Sequence, residues 1–215
     1  MISPIARPVR RAVAGVACAA LLAGAAGCTD DSAAPDRGPS PPGASTGTAP
    51  TLDAKPVPMN VRVTRVSGKL KKAGQTSLER NISRTIEGYW NAAYLGGEYP
   101  RSDFDNAFGA FSGGAAQKAR QDRGFLTNAG LGPSTEAVAA KEKNAWLSVL
   151  APHKVAAGVT ARVRLVYLVD RGDAADQQVT VAGRLMLTRK KSGGWQIFGY
   201  DVRRSARPAE KGAAG

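Results

Sequence analysis

Two cysteines and one histidine in 215 residues leave little material for nucleophilic or metal chemistry. Cys18 lies inside an apolar run, so Cys28 is the one thiol expected after processing, and no internal disulfide can form. A cysteine nucleophile and a cysteine metal site are excluded on the same count. His153 stands alone in Ala151-Pro152-His153-Lys154, which leaves no Ser/His pair and no His/Cys ligand spacing. No cofactor is expected. Long hydrophobic runs are also scarce. The only one, Ala12 to Gly27, has 16 residues rich in Ala and Gly, whereas a bilayer-spanning helix needs about 20 strongly apolar ones. Acidic residues are short too: 17 against 30 Lys and Arg, for a net charge of +13.

What is present begins with the order of the N-terminal elements. Arg7, Arg10 and Arg11 precede the apolar run, and Leu21-Leu22-Ala23-Gly24-Ala25-Ala26-Gly27 leads directly into Cys28. This is the layout of a bacterial lipoprotein signal peptide, with cleavage before Cys28 and lipid on its thiol. Residues 1–27 are therefore read as leader, and the mature protein is expected at the extracytoplasmic face of the cell membrane. Two other readings stay open behind this one: cleavage at Ala23-Gly24-Ala25 to release a secreted protein, and an uncleaved anchor.

Residues 28–57 are the expected lipidated cysteine and tether. Prolines at 35, 39, 41, 42, 50 and 56 break helix and strand, and Leu52 is the only large apolar residue before Val57. Such a segment buries too little surface to offset its ordering entropy. A coil of that length spans roughly 30 Å. One domain is expected over 58–205, with a loose tail over 206–215. The tether carries four Asp against Arg37 and Lys55, so the domain holds nearly all the positive charge. A basic domain beside a membrane has anionic headgroups, wall polymers or an envelope protein as its class of partner, or its charge serves solubility alone. Nucleic acid is not expected, since no recognition motif is present.

Periodicity switches along the domain. Asn60–Val66 reads as a short strand. Ser77 is the candidate N-cap of a helix bearing Leu78, Ile82, Ile86, Tyr89, Trp90, Ala93 and Tyr94 on one stripe. Ser102 is the candidate cap of a second helix with Phe104, Phe108 and Phe111, and a third runs over 115–126. After Pro133, the segments 145–150, 159–170, 179–189 and 195–203 read as strands, the last three in an antiparallel meander. A hairpin centred near Ala174 would set Arg164 opposite Arg184.

Helices followed by a meander ending in Gly194-Trp195-Gln196-Ile197-Phe198-Gly199-Tyr200-Asp201-Val202 resemble a nuclear transport factor 2-like (SnoaL-like, cystatin-like superfamily) domain over residues 77–204. The resemblance implies an α+β fold: N-terminal helices packed in a curved antiparallel sheet that closes into a cone. Enzymes of that superfamily place an Asp or His deep in the cone, often with a Tyr, so the resemblance implies a pocket among Tyr89, Trp90, Tyr94 and Asp201. Asp201 shares strand parity with Trp195 and Ile197 and is expected to point inward. The Ala-, Gly- and Arg-rich composition with a tether also resembles actinobacterial lipoproteins.

Two site readings follow. Arg162, Arg164 and Arg184 occupy the outer face of successive strands, and Arg189, Lys190 and Lys191 are expected to extend that basic face, with Phe198 and Tyr200 beside them. It would bind an anionic surface or partner, or simply be solvated, or compete with a homodimer contact through the sheet. The resulting expectation is a non-catalytic binding or accessory protein. The alternative is a small-molecule binder or isomerase/dehydratase-like enzyme using the cone.

Overall fold

The computed structural model describes residues 56–209. The expected leader, Cys28, nearly all of the tether and the end of the tail lie outside the described residues. Five strands form one sheet in the order β1-β2-β3-β4-β5: β1 Asn60–Gly68, β2 Ala137–Ala151, β3 Gly158–Asp170, β4 Gln177–Arg189 and β5 Trp195–Pro208. Between β1 and β2 lie the helices α1 (Lys72–Trp90), α2 (Gly113–Gln121) and α3 (Arg123–Leu126). No helix among the described residues is long and apolar enough to cross a membrane.

This corrects the expected cone with helices first and an all-antiparallel sheet. Among the described residues a strand precedes every helix, the sheet is mixed, and α1 is the only long helix. The cause is the connection between the first two strands. It carries all three helices and returns the chain to the same end of the sheet, so β2 must run parallel to β1; parallel neighbours need such a crossover. The edge that β1 would expose is blunted by α1, because Glu79 Oε1 accepts the Val63 amide proton at 2.8 Å.

The expected apolar stripe faces the sheet: Leu78, Ile82, Ile86, Tyr89 and Trp90 of α1 are buried. Ala93 and Tyr94 continue it through a π turn, Asn91–Leu95. The helix starts before the expected Ser77 cap, at Lys72 with Lys71 as its N-cap, and accommodates Gly74 in its first turn. Ser102 caps no helix. A single 3₁₀ turn, Asp105–Phe108, stands there, with Asp103 Oδ1 accepting the Asp105 amide. Phe104, Phe108 and Phe111 are buried nevertheless. The third expected helix is broken at Asp122, whose φ of −92° and ψ of 14° separate α2 from α3.

The sheet differs from expectation at both ends. β2 starts at Ala137 rather than at 145, because Ala137–Asn144 pairs with the second half of β3 despite its helix-favouring Ala, Lys and Glu content. β5 continues to Pro208, opposite Gln177, beyond the expected domain end at 205. Within β5 a bulge matters most for the site. Gly199 pairs with Met186 and Ile197 with Leu187, so Phe198 is left over. One extra residue exchanges the two faces of everything after it. Trp195 and Ile197 point into the core, but so do Tyr200, Val202 and Arg204.

Candidate anion-binding face

The face of the sheet away from α1 is built by strict alternation. On β3, Arg162 and Arg164 alternate with Ala161, Val163 and Leu165, which are buried. The hairpin register sets Arg162, not Arg164, opposite Arg184, because the loop centres on Asp173 instead of Ala174. The pairing runs on in both directions, giving one row across the sheet: Arg62, Trp146, Arg162, Arg184 and Asp201. A neighbouring row is Asn60, Asn144, Arg164, Ala182 and Arg203.

Two like charges in direct cross-strand opposition repel each other. Arg162 is relieved by Trp146, whose ring centroid lies 4.8 Å from the guanidinium carbon. Arg164 turns away to Glu142, Nε to Oε2 3.1 Å, while Glu142 Oε1 also accepts from Asn144 Nδ2 at 2.6 Å. Both partners of that ion pair are partly solvated, which limits it to about 0–1 kcal/mol. Among the described residues, Arg184 and Arg203 have no carboxylate within ion-pairing distance, although Asp201 sits beside Arg184 in the ladder.

A depression of about 450 Å³ lies between these side chains. Its floor is Val163, Ala182 and Gly183; Trp146, Arg162, Arg164, Arg184, Asp201 and Arg203 stand around it. It exists because Ala182, between Arg164 and Arg203 in the outer row, supplies only a methyl group. Gly183 has φ +149°, and a Cβ there would run into the Asp201 carbonyl, so this position requires glycine. A second depression of about 360 Å³ flanks the same row, lined by Trp146, Arg162 and Arg184 together with Thr64, Ser148 and Thr160. Four guanidinium groups therefore meet one carboxylate, Asp201, around a shallow, partly aromatic dish. Its chemistry is that of holding a phosphate or carboxylate: Arg forks give two-point hydrogen bonds to such groups.

The other expected residues lie elsewhere. Asp201 points outward, toward the arginines, because of the bulge at Phe198; its expected place in an interior pocket is corrected. Tyr200 points inward instead, donating to Asp122 Oδ2 at 2.7 Å and packing against Phe111, whereas Phe198 is on the outside. Arg189 belongs to the end of the sheet: its Nε donates to the Ala156 carbonyl and its guanidinium lies 5.3 Å from the Trp195 ring centroid. Lys190 and Lys191 follow in the turn after β4, and Lys190 lines a groove with Asn81, Arg84 and Thr85. None of these three borders the dish.

Tyr89, Trp90 and Tyr94 are fully buried. Tyr89 donates to the Leu126 carbonyl and Tyr94 to the Phe125 carbonyl, tying α1 and the π turn to α3. Tyr99 donates to the Tyr94 carbonyl and accepts from Asn128, whose Oδ1 accepts from Tyr167 at 2.9 Å. Burial pushes the hydroxyls of Tyr89, Tyr94, Tyr99 and Tyr167 up from their ordinary pKa, so all stay neutral donors. This network is structural bracing. It shares no space with Asp201.

Trp146, Glu142, Arg203 and the Ala182-Gly183 floor were not legible as site residues. Trp146 alternates with Ala145 and Leu147, which are buried, and that parity is the signal for its outward position. Comparison with protein-family models, with curated proteins and with solved structures gives no match.

Proposed function

We propose that the chain is an extracytoplasmic lipoprotein, acylated on Cys28, whose folded domain is a non-catalytic binding module for an anionic envelope polymer. The order of basic stretch, apolar run, small residues and cysteine supports the anchor. One observation carries the binding role: Arg162 and Arg184 are placed side by side, with Arg203 near them, around a dish floored by Ala182 and Gly183. Trp146 and Asp201 relieve part of that repulsion, yet four arginines against one aspartate leave the dish with an excess of positive charge that a bound anion would offset. An anionic polymer supplies negative charge repeatedly, so several weak contacts act together.

The anchor is tested by mass spectrometry of the N-terminal peptide, which should carry lipid on Cys28; an unmodified thiol refutes it. The binding role is tested with poly(glycerol phosphate) and the full chain. Arg184→Gln with Arg203→Gln should weaken binding at low salt by about tenfold or more, at roughly 1 kcal/mol per cation. Rising salt should narrow that difference. Equal binding by parent and variant would refute the role.

A further inference from the structure

The charge and the exposed apolar surface also concentrate somewhere other than the dish. Three connections meet at the end of the sheet where β2 and β4 finish. Gly68 lies opposite Ala151, Leu150 opposite Gly158, and Gly158 opposite Thr188. The Lys69 amide donates to the Ala151 carbonyl, and Arg189 Nε to the Ala156 carbonyl, so the three connections are tied together.

Segments 67–75, 150–160 and 188–196 contain no Asp or Glu. The first carries Lys69, Lys71 and Lys72, the second Lys154, the third Lys190 and Lys191. Acidic residues gather at the other end instead, where Glu136 immediately precedes β2 and Asp170, Asp173 and Asp176 surround the β3–β4 turn. The lysines of the first segment are placed against the local field. α1 begins there, with Lys71 as its N-cap and no acidic residue in the first turn. Cations at the positive end of a helix dipole are unfavourable on their own and call for an external anion.

The apolar surface points the same way. The exposed large hydrophobics among the described residues are Leu150 at 56 %, Val155 at 54 %, Phe198 at 53 % and Phe125 at 39 %. Leu150 and Val155 frame the β2–β3 connection, which turns through two left-handed residues, His153 (φ 53°) and Lys154 (φ 65°). Phe198 is on the outer face at the bulge beside Leu187 and Ile197, close to the same end. Three of the four exposed apolar side chains therefore adjoin the acid-free end.

We propose that this end docks on an anionic lipid bilayer, with Leu150 and Val155 entering the headgroup boundary and the surrounding lysines meeting phosphates. A hydrated polyanion would satisfy the lysines and leave Leu150 and Val155 in water. A bilayer satisfies both, because long lysine stems reach upward while apolar neighbours enter. The docking needs neither the dish nor the lipid on Cys28.

The test uses the full chain with Cys28→Ser and co-sedimentation on phosphatidylglycerol or phosphatidylcholine vesicles. The parent should prefer the anionic vesicles. Lys71→Gln, Lys154→Gln and Lys191→Gln together should reduce that preference at least tenfold, since each surface cation is worth up to roughly fivefold. Leu150→Ser with Val155→Ser should weaken binding while leaving its salt dependence. Arg184→Gln with Arg203→Gln should bind vesicles as the parent does, which separates this docking from polymer capture. The proposal is overturned if the parent shows no anionic preference, if the lysine or apolar variant binds like the parent, or if the arginine variant loses as much as the lysine variant.

Discussion

Replacing Gly183 by alanine should destabilise the domain far more than one methyl group usually does. Two costs combine. The residue sits at φ +149°, where an L side chain is strained, at about 1–3 kcal/mol. The new Cβ also meets backbone of the neighbouring strand, the Asp201 carbonyl and Val202 Cα, neither of which is a movable side-chain end. Forced overpacking adds about 1–3 kcal/mol. A sum of about 2–6 kcal/mol is a large part of the 5–15 kcal/mol typical of a domain. With a urea m-value of about 2 kcal/mol/M, the midpoint should fall by about 1–3 M. Gly199→Ala is the matched control in the same ladder. Its Cβ would meet the Met186 sulfur at 3.4 Å, an ordinary contact with a flexible side chain, so the change should stay within about 0.5 kcal/mol. Urea unfolding followed by circular dichroism reads both. If Gly183→Ala unfolds with the parent's midpoint, the backbones of β4 and β5 do not approach at Gly183 as described.

Two further outcomes are expected. All five tyrosines have raised pKa values, by burial first and, for Tyr200, also through its bond to the Asp122 carboxylate. A folded pKa above the unfolded value means the neutral phenols contribute stability that is complete below about pH 10 and is lost as pH rises above it. Tyrosinate absorbance should therefore appear together with loss of the circular-dichroism signal; a tyrosine titrating near pH 10 in the folded protein would contradict the network. Asp201→Asn removes the negative charge beside Arg184 and should tighten polyanion binding about two- to fivefold at low salt. Weaker binding by that variant would place Asp201 among the ligand contacts instead.

The parts that sequence made legible were those set by local period. The α1 stripe from Leu78 to Trp90 and the alternation of β3 each depend on side chains facing one neighbour, and the chain states that period directly. What escaped depends on partners distant in sequence. Ala137–Asn144 has a helix-favouring composition and becomes strand only because β3 extends beside it. The parallel pairing of β1 cannot be seen in nine residues. At the site, two one-residue details decided the geometry. The hairpin centre at Asp173 moved Arg162 opposite Arg184. The bulge at Phe198 turned Asp201 out and Tyr200 in. Asp173 does not announce the first, and the second has as its signal Gly199, a glycine inside a strand, which often accompanies a bulge.

The claim that the arginine dish holds an anionic polymer is tested most directly by guanidinium NMR of the full chain during titration with poly(glycerol phosphate). The Nε–Hε signals of Arg162, Arg184 and Arg203 should shift together and saturate, while that of Arg189, engaged with Ala156 at the end of the sheet, should stay in place. Movement of Arg189 alone, or no movement in the other three at saturating polymer, would contradict the assignment.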